Sequence, residues 1–124
     1  MYKNKYNATK TFVNGIKFDS KLEGRIYKEL VRLKELDQIQ FIALQTPYEL
    51  QEKYVNVDDK KIRNISYRAD FVVIKDSVEY IIDAKGILTP LFILKKKLFE
   101  YKYNKILHIV KSNKALRELL GIDK

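Results

Sequence analysis

The chemistry open to this chain rests on three interrupting residues, Asp70, Asp83 and Lys85, and on a fourth, Glu23. The stretch "RADFVVIKDSVEYIIDAKG" (68–86) has the apolar character of two buried strands, yet it carries two acids and a lysine in its most core-like parts. Carboxylates brought together out of water repel and resist ionisation unless positive charge stands between them. Lys85 supplies part of that charge. A hard divalent cation such as magnesium supplies it better, because it takes carboxylate oxygens and keeps water among its ligands.

The elements that must position these groups can be read from periodicity. Alternate residues of a strand share a face, so Ile81, Asp83 and Lys85 point one way, as do Asp70, Val72 and Ile74. A two-residue loop at Asp76-Ser77 pairs Lys75 with Val78, and a four-residue loop pairs Ile74 with Glu79. Either places Asp70 across from Asp83, with Cβ atoms roughly 4.5–5.5 Å apart. A three-residue loop would put the two acids on opposite faces. Taken singly, each of the three charged residues is an ordinary strand-end residue; the register makes them a set.

Ser20 is a natural helix N-cap, and Glu23 completes a capping-box pattern with it. The neighbours of Glu23 on the helix surface are Ile26, Tyr27 and Leu30, so it also lies at the margin of the buried face. Both readings of Glu23, cap partner and site residue, stand on the sequence.

Residues 1–11 read as a flexible basic arm. Asn14-Gly15 between apolar residues marks a hairpin over Phe12–Phe18, and a helix is expected from Lys21 to Leu36. Ile39–Gln45 reads as a strand that Pro47 ends, with Tyr48–Leu50 a second short one. Val57–Arg63 is turn-like, and Ile65–Ile74 and Val78–Lys85 are the central strands. Thr89-Pro90 starts a helix that runs to Tyr103. Leu91, Leu94, Leu98 and Tyr101 are expected on its inner face, widened by Phe92 and Phe99. Lys105–Val110 is a further strand, and Asn113 caps a last helix. The order gives a single α/β (α+β) domain over residues 1–124.

Composition narrows the function. The chain has 46% hydrophobic residues, with six Phe and nine Tyr, enough for one packed core in 124 residues. The absence of cysteine excludes disulfides, thiol catalysis and cysteine zinc sites, and a single histidine, His108, excludes a histidine cluster. No apolar run is long enough to span a membrane, and the N-terminus lacks the apolar segment of a signal peptide, so a cytoplasmic location is expected. A net charge of +9 points to a polyanionic partner, most often nucleic acid. Abundant Lys, Asn, Ile and Tyr also fit an AT-rich genome.

An Asp on one strand followed about a dozen residues later by Asp-X-Lys on the next resembles the PD-(D/E)XK nuclease superfamily. Asp70 matches the first motif, with Ala69 where the name has proline, and Asp83-Ala84-Lys85 matches the second. Glu23 matches the acidic helix residue that many members add. "KYNATKTFVNGIKFDSKLEGRIYKEL", "LQTPYEL", "YRADFVV" and "KKKLFEYKY" further resemble a small phage-associated family of endonuclease or Holliday-junction-resolvase-like domains.

The resemblance implies a restriction-endonuclease-like core, a central mixed β-sheet flanked by helices, with the active site at one side of the sheet. Glu23, Asp70 and Asp83 would hold one or two magnesium ions, which manganese could replace, helped by the Ala84 carbonyl. Lys85 would complete the catalytic set by orienting water and offsetting phosphate charge. Lys95, Lys96 and Lys97 sit where members place residues that contact the DNA backbone, which position DNA without reading its sequence. Gln45 falls where some members use a polar residue, and is read here as an ordinary strand residue. The expected activity is magnesium-dependent hydrolysis of branched DNA in phage or bacterial recombination, with a homodimer suited to paired cuts. A non-catalytic DNA-binding module of the same fold is the alternative.

Overall fold

The computed structural model describes residues 10–122. The expected basic arm lies outside them up to residue 9, and Thr11 already belongs to the first strand. A hairpin comes first, β1 (Thr11–Val13) and β2 (Ile16–Phe18), turned through Asn14 and Gly15 at φ 52° and 78°. Both turn residues are left-handed, as a tight hairpin turn of this hand demands. Helix α1 (Lys21–Glu35) follows, then β3 (Phe41–Gln51), a small hairpin β4 (Tyr54–Val55) and β5 (Lys61–Ile62), and the long strands β6 (Ile65–Lys75) and β7 (Val78–Ala84). Helix α2 (Pro90–Tyr103), β8 (Leu107–Val110) and α3 (Asn113–Leu120) complete the chain.

The main sheet is four-stranded and mixed, in the order β3-β6-β7-β8, with β8 parallel to β7 and the other pairs antiparallel. Helices α1 and α3 cover one face, packing Ile26, Leu30, Leu33, Leu116 and Leu120 on Phe71, Val73 and Ile82. Helix α2 covers the other, packing Phe92 and Phe99 on Tyr67, Val72 and Ile81. The result is an α/β/α sandwich, which agrees with the α/β class read from the element order and with the helix-flanked mixed sheet that the resemblance implies. No helix among the described residues is long and apolar enough to cross a membrane.

Several elements depart from their sequence reading. Pro47 does not end β3, which runs through it as an edge strand paired only with β6. An edge position tolerates proline because its missing N–H faces away from the ladder. The segment read as a turn over Val57–Arg63 contributes Lys61 and Ile62 to the β4-β5 hairpin. Ser112 rather than Asn113 caps α3, its hydroxyl accepting from Ala115 N.

The inner face of α2 is also not the expected one. Phe92 and Phe99 are buried, whereas Leu91, Leu94, Leu98 and Tyr101 face outward. The two phenylalanines lie one heptad apart and meet the aromatic side of the sheet, where Phe99 packs edge-on against Tyr48 and Tyr67. Aromatic rings bury more apolar area per residue than leucine, so they take the inner face. Buried within the domain, Phe92 and Phe99 are not free to form a dimer interface.

Candidate active site

The turn between β6 and β7 sets the register of the site. Asp76 and Ser77 have φ of 50° and 67°, a two-residue loop that pairs Lys75 with Val78. The register is the expected one, but the paired ladder stops at Phe71–Ile82, one pair short of the two aspartates. Beyond that point Asp70 Oδ2 accepts a hydrogen bond from Ala84 N at 2.9 Å, so the side chain binds the neighbouring strand where the ladder has ended.

The interruption has a structural cause in both strands that cross it. In β6, Tyr67 and Ala69 face α2, whereas Phe71 and Val73, of the same parity, face α1 and α3. In β3, Tyr48 and Leu50 face α2 while Ile42 and Leu44 face α1. The alternation therefore slips by one residue at Gln45 and Asp70. Gln45 has a φ of 49°, a left-handed residue within the strand, while the pairing register on either side, Leu44 with Phe71 and Thr46 with Ala69, is unchanged. Both side chains are thereby turned out of the regular pleat toward α1.

Glu23 comes from the first turn of α1 and is only 4% exposed. Its backbone N–H donates to Ser20 Oγ, and its Oε1 accepts from Asp19 N, so it does help cap the helix. Its second oxygen, Oε2, accepts from Gln45 Nε2 at 2.9 Å. One oxygen of Glu23 thus serves the helix start, and the other faces Gln45 and the sheet. Gly24, beside it, lets the β1 strand come close: a Cβ there would stand 2.6 Å from Thr11 Cγ2.

Gln45 was read as an ordinary strand residue, and the structure corrects this. Its amide nitrogen lies 2.9 Å from Glu23 Oε2 and 3.5 Å from Asp70 Oδ1, between the two carboxylates. The signal in the sequence was only a polar residue on a strand of the matched region. Its left-handed backbone and its partners come from elements distant in sequence.

Asp83 is 2% exposed. Its Oδ2 accepts from the Tyr67 hydroxyl at 2.5 Å, and its Oδ1 has no hydrogen-bond partner among the described residues. The Lys85 ammonium stands 3.6 Å from Oδ1 and 4.8 Å above the Phe92 ring, two contacts that hold it beside the acids. Lys85 lies one residue past the end of β7, where its N–H still bonds Val110 O at 3.2 Å. Tyr67, which the sequence did not single out, is pushed well above the ordinary phenol range by burial and by the Asp83 charge, so it stays a donor.

The electrostatics of the cluster are unbalanced. Burial, then the charges of Asp83 and Glu23, push the Asp70 carboxyl up to about 9, against the lowering effect of the Ala84 N–H. A buried carboxylate oxygen without a donor, next to an acid this reluctant to ionise, is the donor set a hard cation would satisfy. As placed, no group of three or more acidic or histidine side chains among the described residues is arranged to hold a metal; the Gln45 amide stands between Glu23 and Asp70. The fit to a cation is therefore carried by Asp70 and Asp83, with Glu23 within reach through Gln45.

The site opens into a cleft of about 610 Å³ lined by Lys10, Glu23, Asp70, Lys85, Ile87 and Thr89 among others. Glu23, Asp70 and Lys85 line this cleft, and Asp83 lies buried behind it, reached through Lys85 and Tyr67. The three helix lysines are not at this opening. Lys95 donates to Ser66 O, Lys96 pairs with Glu100, and Lys97 is exposed on the outer side of α2. Lys10, within the segment read as a basic arm, is the lysine that joins Lys85 at the cleft.

A family model described as "Protein of unknown function (DUF1064)" matches residues 3–117. No curated protein and no solved structure matches the chain.

Proposed function

The chain belongs to the DUF1064 family, and we propose that it is a magnesium-dependent DNA endonuclease acting on branched or otherwise structured DNA. The observation that carries this reading is the buried Asp83 Oδ1, without a hydrogen-bond donor among the described residues, beside the Asp70 carboxyl that burial and its acidic neighbours push up to about 9. Lys85, 3.6 Å from that oxygen, offsets part of the cost without a hydrogen bond, and a divalent cation would complete the pair.

Asp70 and Asp83, with Glu23 and the Ala84 carbonyl, are the groups that would hold magnesium or manganese. The bound ion would supply an acidified water and would offset the charge that builds on the phosphoryl oxygens. The protein's own groups have separable tasks. Tyr67 fixes one oxygen of Asp83 and leaves the other turned to Lys85. Lys85 and Lys10 present positive charge to the phosphate entering the cleft. Gln45 holds Glu23 toward Asp70. Water attack on phosphorus would break the bond to the leaving oxygen, giving the 5′-phosphate and 3′-hydroxyl that the superfamily resemblance implies. DNA as the partner is supported by the net charge of +9 and by the two lysines at the cleft.

One observation favours a non-catalytic DNA-binding module instead. The Gln45 amide stands between two of the carboxylates, where an enzyme would bring its cation. Incubation with a labelled four-way junction, a linear duplex and a single strand in magnesium separates the two. Cutting names the enzyme and its preferred substrate. Tight binding of all three with no cutting in magnesium or manganese assigns the module.

A further inference from the structure

The outward face of α2 is the least expected surface of the molecule. Leu91, Leu94, Leu98 and Tyr101 recur at spacings of three, four and three, the seam of a helix that packs against another helix. Leu91 is 61% exposed and Tyr101 is 91% exposed. Scattered exposed leucines need no explanation, but a continuous seam along one helix does. The helix is about 21 Å long at 1.5 Å per residue, enough for a partner helix to lie along it.

Charge selects the partner. Helical spacing places Lys95 and Lys102 along one border of the seam and Lys97 along the other. The only acid in α2, Glu100, is turned away: it pairs with Lys96 and accepts from Leu107 N. A second copy of this chain would set lysine against lysine across the seam, between molecules that each carry +9. DNA could use the lysines, but the leucines between them offer a phosphate no donor.

We propose that this face is a docking surface for an amphipathic helix of another protein, one whose apolar stripe is bordered by Asp and Glu. Leucines on the two helices interlock, and acids on the partner meet Lys95, Lys97 and Lys102 at the rims. Ile87, just ahead of α2, lines the cleft that holds Glu23, Asp70 and Lys85, so the docked helix lies beside that cleft. The assignment goes beyond the nuclease reading and does not depend on it.

The test uses a fluorescent peptide with leucine at the seam positions of successive heptads and glutamate at the flanks. A second peptide has the same leucines and lysine flanks. Leu94 is 53% exposed, so Leu94→Glu alters the seam without touching the core. The expected result is binding of the acidic peptide only, weakened by salt and by at least about tenfold in Leu94→Glu, or 1.4 kcal/mol. Equal binding of both peptides, or of neither, overturns the proposal. So does sedimentation that finds a dimer which Leu94→Glu dissociates, since the seam would then join two copies. Loss of DNA binding in Leu94→Glu would likewise assign the face to nucleic acid.

Discussion

The Tyr67 hydroxyl donates to Asp83 Oδ2 at 2.5 Å, across the open end of the β6-β7 ladder. One carboxylate oxygen is thereby occupied, and the other is left as the buried acceptor of the site. Tyr67→Phe keeps the ring packing against Phe92 and Phe99 and removes only the donor. The expected cost is about 1–3 kcal/mol of stability, because a buried charged acceptor loses its partner. Cation affinity should fall about 10–100-fold, as it does when a ligand's supporting hydrogen bond is removed. Thermal unfolding and a manganese titration measure the two effects. Unchanged affinity would reduce Tyr67 to a packing residue.

Asp70 should make the cation-free protein less stable as pH rises. The groups that face it are Glu23 from α1, Gln45 from β3, and Asp83 with the Ala84 N–H from β7. Its folded carboxyl keeps its proton up to about 9, whereas the unfolded chain releases it near 3.8. Between those values the folded state holds the extra proton, so stability declines with pH and levels off above the window. Asp70→Asn should flatten that decline and raise the melting temperature in chelator at neutral pH. Melting curves in chelator from roughly pH 5 to 8 decide the point. A decline that persists in the variant would mean that another group carries it.

Glu29 should behave in the opposite sense. Its carboxylate takes two hydrogen bonds from Arg32, at 2.9 and 2.7 Å, and one from Arg117 at 3.0 Å, tying α1 to α3. The Arg32 guanidinium and, after the opposing effect of burial, Arg117 hold its carboxyl below the usual 4.5. Its stabilisation is therefore present above 4.5 and is lost as pH falls through the lowered folded value. Glu29→Gln should cost about 1–2 kcal/mol near neutral pH and much less in acid. Denaturant midpoints at the two pH values test it; an equal loss at both would show that charge is not what holds the helices.

The parts of the site that were legible in sequence are those set locally. The Asp76-Ser77 turn set the β6-β7 register as far as Phe71–Ile82, and Ser20 with Glu23 marked the start of α1; strand alternation, which put Asp70 on one face with Val72, missed the slip at Asp70. The parts that were not legible depend on distant partners. Nothing in the pattern of β3 says that Gln45 turns left-handed and reaches α1, since that follows from the slip shared with β6. The buried face of α2 was misread because its apolar residues run almost all the way round, so periodicity does not choose between leucines and phenylalanines. The sheet's aromatic side, with Tyr48 and Tyr67, makes that choice. Lys97, expected to contact the DNA backbone, is exposed on the outer side of the helix, away from the cleft.

The most direct test of the catalytic reading compares wild type with Asp83→Asn on the preferred DNA substrate, under single-turnover conditions, with magnesium and with EDTA. Asparagine keeps an oxygen near Lys85 and removes the charge that would hold the cation. The expected result is cutting by the wild type that EDTA abolishes and that Asp83→Asn reduces by at least about a thousandfold, 4 kcal/mol of transition-state stabilisation. DNA binding should remain. Cutting that survives EDTA, or that Asp83→Asn leaves intact, would contradict a cation held by Asp70 and Asp83.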